Sequence, residues 1–318
     1  MIRARAITFT LIGLLAWMAL PTVVLAGNSY SKLIIFGDSL SDPGNAFALT
    51  GQASVPPYDN LSQFLVPDAP YARGGKHFSN GKTWVEQLAK TLKLNRSAGP
   101  AWRLPGVFCN FAVGGARAGG TSPTDLPGQI AFFLGGRILS EPLDDALAVI
   151  VIGGNDVRDA VTAFNPADPS AALGIVAGAV TAIVDSIKAL KVSGVRKVLV
   201  GNVPNIALTP AIMRADAIFP GAAAAAAFLS VAFNDLLVRE LAGLGDGIVV
   251  LDIFGTITDV AANPSAFGLT NTTTACVMPN RPPFACRKPD EFAFWDGIHP
   301  TKVVHAILAG EAEAALAH

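Results

Sequence analysis

Five short apolar runs set the limits on what this chain can fold into. They are Lys32–Gly37, Val107–Val113, Leu147–Gly153, Val195–Gly201 and Ile248–Ile253, each mostly Val, Ile, Leu or Phe and each closing near Gly, Asn or Asp. Runs that are apolar at every position, rather than at alternate ones, suit strands buried on both faces of a parallel sheet. Segments of helical character fall between them, at Gly81–Leu94, Ser170–Lys191, Gly221–Ala242 and Thr301–Ala317. The alanine patch 222–227 suits a helix, since alanine has the best helix propensity. Strand–helix alternation with right-handed crossovers predicts a three-layer α/β/α sandwich around a central parallel sheet of about five strands. Three stretches break the rhythm: Phe47–His77, Leu94–Leu104 and Asn263–Glu291, rich in Pro, Gly, Asn and Ser. If they sit at the carboxyl ends of the strands, they wall a ligand pocket.

The bulk numbers exclude several classes. Of 318 residues 51% are hydrophobic and 15% charged, which builds a large core and rules out disorder. With 23 basic and 24 acidic residues there is no electrostatic footprint for nucleic acid. Arg3 and Arg5, the uncharged stretch Ile7–Leu20, the helix-breaking Pro21 and the small residues Val24 and Ala26 read as a secretory signal cleaved after Ala26. The alternative is an uncleaved anchor, for which the apolar stretch is short against the ~20 residues of a membrane span. Cleavage takes the net charge from −1 to −3 and leaves residues 27–318 as a single domain, periplasmic or extracellular. Three cysteines fit an oxidising compartment: Cys276 and Cys286 can pin the long Pro- and Asn-rich loop, while Cys109 reads as a small buried hydrophobe. His77, His299, His305 and His318 form no metal-ligand pattern with the cysteines, and neither a GxGxxG nor a P-loop follows the first run, so no metal or cofactor is expected.

Candidate chemistry sits at three places. The first run ends Gly37-Asp38-Ser39, a turn that can expose a serine hydroxyl with backbone N–H groups behind it. Gly-Asp-Ser is also a common turn, and the G-x-S-x-G elbow is not met because Ser41 stands at its last place. The third run ends Gly153-Gly154-Asn155-Asp156. Here Asn155 can aim its amide at an oxyanion, or the Asn/Asp pair can cap the following helix. Near the C-terminus, Asp296 precedes His299 by three residues on a loop entering a helix, a spacing that lets a carboxylate orient an imidazole. A single histidine in that place can equally be structural.

Taken together, these pieces resemble the SGNH/GDSL hydrolase family in its lipase/esterase branch. Phe36–Asn45 is similar to the family block FGDSLSDxGN with Pro43 in the variable slot. Asn110–Ala116 is similar to the second block, Gly153–Asp156 to the third and Phe294–Thr301 to the fifth, while Phe78-Ser79-Asn80-Gly81 with Trp84-Val85 looks like the stretch after the first helix. The resemblance implies the flavodoxin-like form of the sandwich. It implies Ser39 as nucleophile, His299 as general base and Asp296 as its orienting partner. The oxyanion would be held by the backbone N–H groups of Ser39 and Gly115 and by the side chain of Asn155, with Gly114 in place of Gly115 if the register slips by one. Asp38, Asp42, Asn45 and Asp156 are expected to brace their turns, Trp295 to anchor the core, His305 to be structural or exposed, and His77 in the Gly74-Gly75-Lys76 loop not to line the pocket.

The activity implied is hydrolysis of carboxylic esters, with lipase, lysophospholipase and simple esterase as forms of it. An acyltransferase with the same triad is the alternative, and a non-catalytic binding module on the same fold a more remote one. The expected substrate is a small ester or lipid, with transient contact to lipid surfaces. Phe47, Leu49, Phe64, Leu65, Phe132, Phe133 and Leu134 suggest an acyl-binding groove, or simply anchor their loops.

Overall fold

The structure is a computed structural model that describes residues 30–136 and 142–317. The signal-peptide reading of residues 1–26 therefore falls outside the described residues.

Four strands form one parallel sheet: β1 (Leu33–Gly37), β2 (Leu147–Val151), β3 (Lys197–Gly201) and β4 (Ile248–Leu251), hydrogen-bonded in that order. Register runs from Leu33 opposite Leu147 to Gly37 opposite Val151, which brings the carboxyl ends of β1 and β2 level. Helices flank the sheet as α1 (Asn45–Thr50), α2 (Trp84–Thr91), α3 (Leu126–Gly135), α4 (Gly154–Thr162), α5 (Ser170–Val192), α6 (Pro210–Ile218), α7 (Ala222–Ala242), α8 (Ile253–Ala262) and α9 (Lys302–Leu316). The period-2 geometry of a strand divides its side chains between two cores. Ile34, Phe36, Ala148, Ile150, Val198 and Val200 pack with α3, α4, α5 and α7. Leu33, Ile35, Leu147, Val149, Val151 and Leu199 pack with α2, α8 and α9. This is the three-layer arrangement that unbroken apolar runs require.

The second predicted strand differs. Residues 107–113 run parallel to β1 on its outer edge, yet make only isolated bridges, Asn110 to Ile35 and to Pro100. Cys109 O accepts from Ile35 N–H and Phe111 N–H donates to Ile35 O, at 2.8 and 2.7 Å. A further rung runs from Val113 N–H to Gly37 O at 3.2 Å, but the pairing is incomplete because Gly37 gives its own N–H to Gln129 Oε1 at 2.9 Å. Counted as the second strand, this segment gives the flavodoxin-like order 2-1-3-4-5.

Five helices, α1, α3, α4, α6 and α8, were not separated from loop or strand by sequence pattern. Each has 6 to 10 residues, too short for its periodicity to stand out. The long C-terminal loop holds a small second sheet, β5 (Asn271–Ala275) beside β6 (Phe292–Phe294). The disulfide Cys276–Cys286, with Cα atoms 4.8 Å apart, closes the loop between them. Backbone bonds from Cys276 N–H to Phe294 O and from Val277 N–H to Trp295 O tie that loop to the segment bearing Asp296.

His305, expected to be structural or exposed, is 1% exposed on α9. Its Nδ1 accepts the N–H of Trp84 at the start of α2, at 3.2 Å. It joins the two helices as a neutral ring, because burial, then the charges of His77 and His299, push it from the ordinary 6.5 down to about 3. A folded-state value below the unfolded one means that its stabilising contribution is complete above about pH 6.5. The contribution then falls by up to about 1.4 kcal/mol per pH unit as the pH drops toward 3. Urea midpoints measured from pH 7 to pH 4 should therefore fall less steeply for His305→Gln, which keeps an acceptor but cannot titrate, than for the wild type.

Candidate active site

Ser39 follows β1 at a turn held from both sides. Gly37 exchanges two hydrogen bonds with the buried Gln129 side chain of α3, N–H to Oε1 at 2.9 Å and Nε2 to O at 2.8 Å. A Cβ at Gly37 would lie 2.5 Å from Val151 O, so only glycine lets the strand end this close to β2. Beyond the turn, Asp38 Oδ1 accepts the N–H of Leu40, and the Ser41 hydroxyl accepts from Trp84 Nε1 at 3.1 Å. Burial pushes the Asp38 carboxyl up to about 6, against the opposing pull of the Leu40 N–H and of His299. Asp38 thus braces the turn.

His299 Nε2 lies 2.9 Å from Ser39 Oγ, and His299 Nδ1 lies 2.7 Å from Asp296 Oδ2. The three residues are 8%, 3% and 0% exposed for Ser39, His299 and Asp296. A carboxylate facing Nδ1 fixes the proton there, which leaves the Nε2 lone pair directed at the serine. Asp296 is further saturated: its Oδ1 accepts the N–H groups of Ile298 and His299 at 2.9 and 2.7 Å. Its Oδ2 also accepts from Tyr71 OH, 225 residues away, at 2.9 Å. Burial and then the charge of Asp296 hold the Tyr71 phenol well above its usual range, so it serves only as a donor. The ring of Phe78 stands against His299 with centroids 5.2 Å apart.

Asn155 and Gly115 converge on the same end of the sheet. Asn155 lies in the first turn of α4 and does not cap it; its amide Nδ2 donates one hydrogen to Ala116 O at 2.9 Å and keeps the other. Asp156 instead accepts the N–H groups of Ala118 and Gly119 at 2.8 and 2.9 Å, fixing the loop after Gly115. The choice between Gly114 and Gly115 turns on their N–H groups. That of Gly114 is committed to Asp42 Oδ2 at 2.8 Å. That of Gly115 has no partner among the described residues, at a φ of 82° that favours glycine. A Cβ at Gly115 would meet nothing, so backbone conformation, not crowding, requires glycine here.

Ser39, Asn155 and His299 line one cleft, whose other walls include Ile206, Ile212, Ile253, Ile257, Phe294, Ile298 and Leu308. None of the seven residues that suggested an acyl groove in the sequence lies on it. Phe132 and Phe133 pack instead on Phe36, Phe111 and Trp102 beneath the sheet edge. The cleft is built from α6, α8 and α9, two of which sequence pattern left unassigned.

Sequence reading missed Tyr71 and Gln129; nothing in local spacing marks a tyrosine that reaches its partner across 225 positions. His77 does not line the cleft. His77 Nδ1 faces Gly74 O at 2.7 Å and Nε2 faces Glu86 at 2.8 Å, two acceptors that make the ring a double donor. Burial pulls its pKa down, but the hydrogen bond and charge of Glu86 outweigh it and the net direction is up. Among the described residues no cluster of His, Cys, Asp and Glu could hold a metal ion.

Comparison with known proteins gives one family. The family model described as GDSL-like Lipase/Acylhydrolase matches residues 33–312. The chain is 25% identical to the GDSL esterase/lipase At2g04570 of Arabidopsis thaliana, with 95% of each chain covered. It is likewise 25% identical to the phosphatidylcholine-sterol acyltransferase of Aeromonas hydrophila, with 88% of each covered. Among solved structures, an alpha/beta hydrolase enzyme from the metagenome of Lake Arreo, Spain, covers 92% of this chain and 98% of its own. Its identity of 16% and TM-score of 0.47 make that likeness too loose to carry an argument.

The Tyr71–Asp296 bond makes a prediction of its own. Tyr71→Phe should slow phosphonylation of Ser39 by a fluorophosphonate probe about tenfold, the worth of a hydrogen bond to a charged group. The melting temperature should change little by comparison. Unchanged labelling would show that Asp296 is held well enough without the phenol.

Proposed function

The chain belongs to the GDSL-like lipase/acylhydrolase family, and from that premise we propose that it cleaves fatty-acyl esters through an acyl-enzyme on Ser39. The observation that carries this reading is the unbroken hydrogen-bonded line from Ser39 Oγ through His299 to Asp296, opening on an apolar cleft.

In the proposed cycle His299 Nε2 takes the serine proton as Oγ attacks the acyl carbon. The resulting oxyanion is met by the backbone N–H groups of Ser39 and Gly115 and by the remaining Nδ2 hydrogen of Asn155. Each such donor is worth about 2.7–4 kcal/mol of barrier in comparable acyl transfers. The tetrahedral species collapses, the alcohol leaves with the proton from His299, and water then repeats the sequence on the acyl-enzyme. Asp296 stays ionised throughout and stabilises the imidazolium.

The walls of the cleft support a chain of methylenes as the acyl group. A second small space, walled by Val260, Ala261, Thr272, Ala293 and Val304, shares Ile257, Phe294 and Pro300 with the first. Burying each CH2 there is worth about 0.8 kcal/mol, enough for a graded preference. Acyl transfer to an alcohol is the second reading, favoured by the apolar walls and by the activity named for the Aeromonas relative. Export is part of the proposal: residues 1–26 act as a signal and 27–318 as one secreted domain, in keeping with the Cys276–Cys286 disulfide. Ile218 and Phe219, 55% and 63% exposed where α6 leaves the cleft, are the proposed point of transient contact with a lipid surface.

The test is hydrolysis of p-nitrophenyl esters of rising chain length. Ser39→Ala should lose at least about a thousandfold in kcat. Ile257→Trp, which fills wall space shared by both spaces, should move the optimum to shorter chains while leaving acetate turnover within a few-fold. Full activity in Ser39→Ala would refute the nucleophile assignment. Partition of the acyl group to added glycerol, against free acid, separates transferase from hydrolase.

A further inference from the structure

One cation faces this cleft without a partner. Arg158 lies on α4 one turn after Asn155, so the two side chains share a helix face, and both line the cleft with Ser39 and His299. Among the described residues its guanidinium makes no hydrogen bond or ion pair; its neighbour Asp159 is taken by Arg117. The negative charges it feels are those of Asp159 and Asp38, and Asp38 is committed to the Leu40 N–H. The guanidinium is partly exposed, so its five donors stay open to the cleft. Across the same cleft Asn205 presents a second orphan: its Oδ1 is buried and has no partner. A buried acceptor with no partner among the described residues, together with an unpaired cation open to the same cleft beside Ser39, points to a ligand that completes both.

We propose that Arg158 and Asn205 form the alcohol-side subsite of the esterase, Arg158 binding a phosphate borne by the leaving alcohol and Asn205 accepting a hydroxyl hydrogen from it. The assignment rests on the acyl-ester reading above and narrows it: the substrate is a fatty-acyl ester of a glycerophosphate, with the chain in the apolar space and the head on α4. Arginine suits this task because its planar fork meets phosphate oxygens in pairs. The apolar walls explain why the acyl half needs no polar handle.

The experiment compares 1-acylglycerol 3-phosphate with the neutral 1-acylglycerol of the same chain, for wild type, Arg158→Gln, Arg158→Lys and Asn205→Leu. The ratio of kcat/KM for the charged over the neutral substrate should favour the charged one in the wild type. It should fall about tenfold to a hundredfold in Arg158→Gln, the usual worth of a hydrogen bond to a charged group, and partly recover in Arg158→Lys. Asn205→Leu should lower turnover of both hydroxyl-bearing substrates relative to a p-nitrophenyl ester. Arg158→Gln should also melt at an equal or higher temperature, since an unpaired cation has been removed. A ratio that Arg158→Gln leaves unchanged overturns the proposal. So does a melting temperature lowered by several degrees, which would make Arg158 structural. Ser39-dependent cleavage of the neutral ester with an unmoved ratio refutes the subsite alone. Cleavage that survives Ser39→Ala refutes the catalytic reading beneath it.

Discussion

Four backbone N–H groups converge on the buried carboxylate of Asp42: those of Gly44, Asn45 and Ala46 from its own turn, at 2.6–3.1 Å, and that of Gly114 from a loop 72 residues away. A carboxylate in a low-dielectric setting binds such donors tightly, and none can be removed without stranding the rest. The bracket is extended by Asn45, whose amide donates to Asn110 O and Ala112 O, and by Asn110, whose amide donates to Ser41 O. The turn that holds Ser39 and the loop that holds Gly115 thereby become one rigid piece. The spacing between Ser39 and Gly115 is set by this network of the fold alone.

The other half of the site is hung from the C-terminal loop, and the same logic of complete satisfaction applies. Asp296 is filled by His299, Ile298 and Tyr71, Ser79 Oγ donates to Pro300 O, and Thr301 Oγ1 donates to Phe292 O. Behind Asp296, Trp295 meets Tyr71 edge to face in a small cluster that includes the disulfide loop. Among the described residues the buried Asn205 Oδ1 and the Trp295 Nε1 have no partner, and of these only Asn205 lies on the cleft, where the partly exposed Arg158 is also unpaired. Under the proposed roles, preorganisation is concentrated where the transition state would form, and the unpaired groups lie where a substrate's polar half would sit.

The β-branched and leucine-rich runs at 33–37, 147–151, 197–201 and 248–251 were legible because burial on both faces leaves no alternation to confuse them. Ser39, Asn155, Asp296 and His299 were legible because each falls just past such a run or just before a helix. Boundaries were less so: Val107–Val113 is as apolar as a strand, but the Gly37 N–H that would complete its ladder with β1 is taken by the Gln129 side chain. Of the apolar loop residues that suggested an acyl groove, none lines the cleft, which leaves their alternative role as anchors. Phe132 and Phe133 looked like loop aromatics, yet they lie on α3 and pack toward Phe36 and Phe111. The isoleucines of α6 and α8 form the pocket instead.

By itself the sequence determined the layering, the strand ends and the residue types available there, because these follow from local hydrophobic pattern and from what each side chain can donate or accept. Tertiary structure alone decided which of them meet. Packing across the sheet brings Ser39 within reach of a histidine 260 residues away and brings Tyr71 onto Asp296. It also commits the N–H of Gly114 while sparing that of Gly115, and leaves Arg158 facing the cleft unpaired. Contacts of that separation carry no periodic signature, since they depend on crossovers and packing that no local stretch of chain encodes.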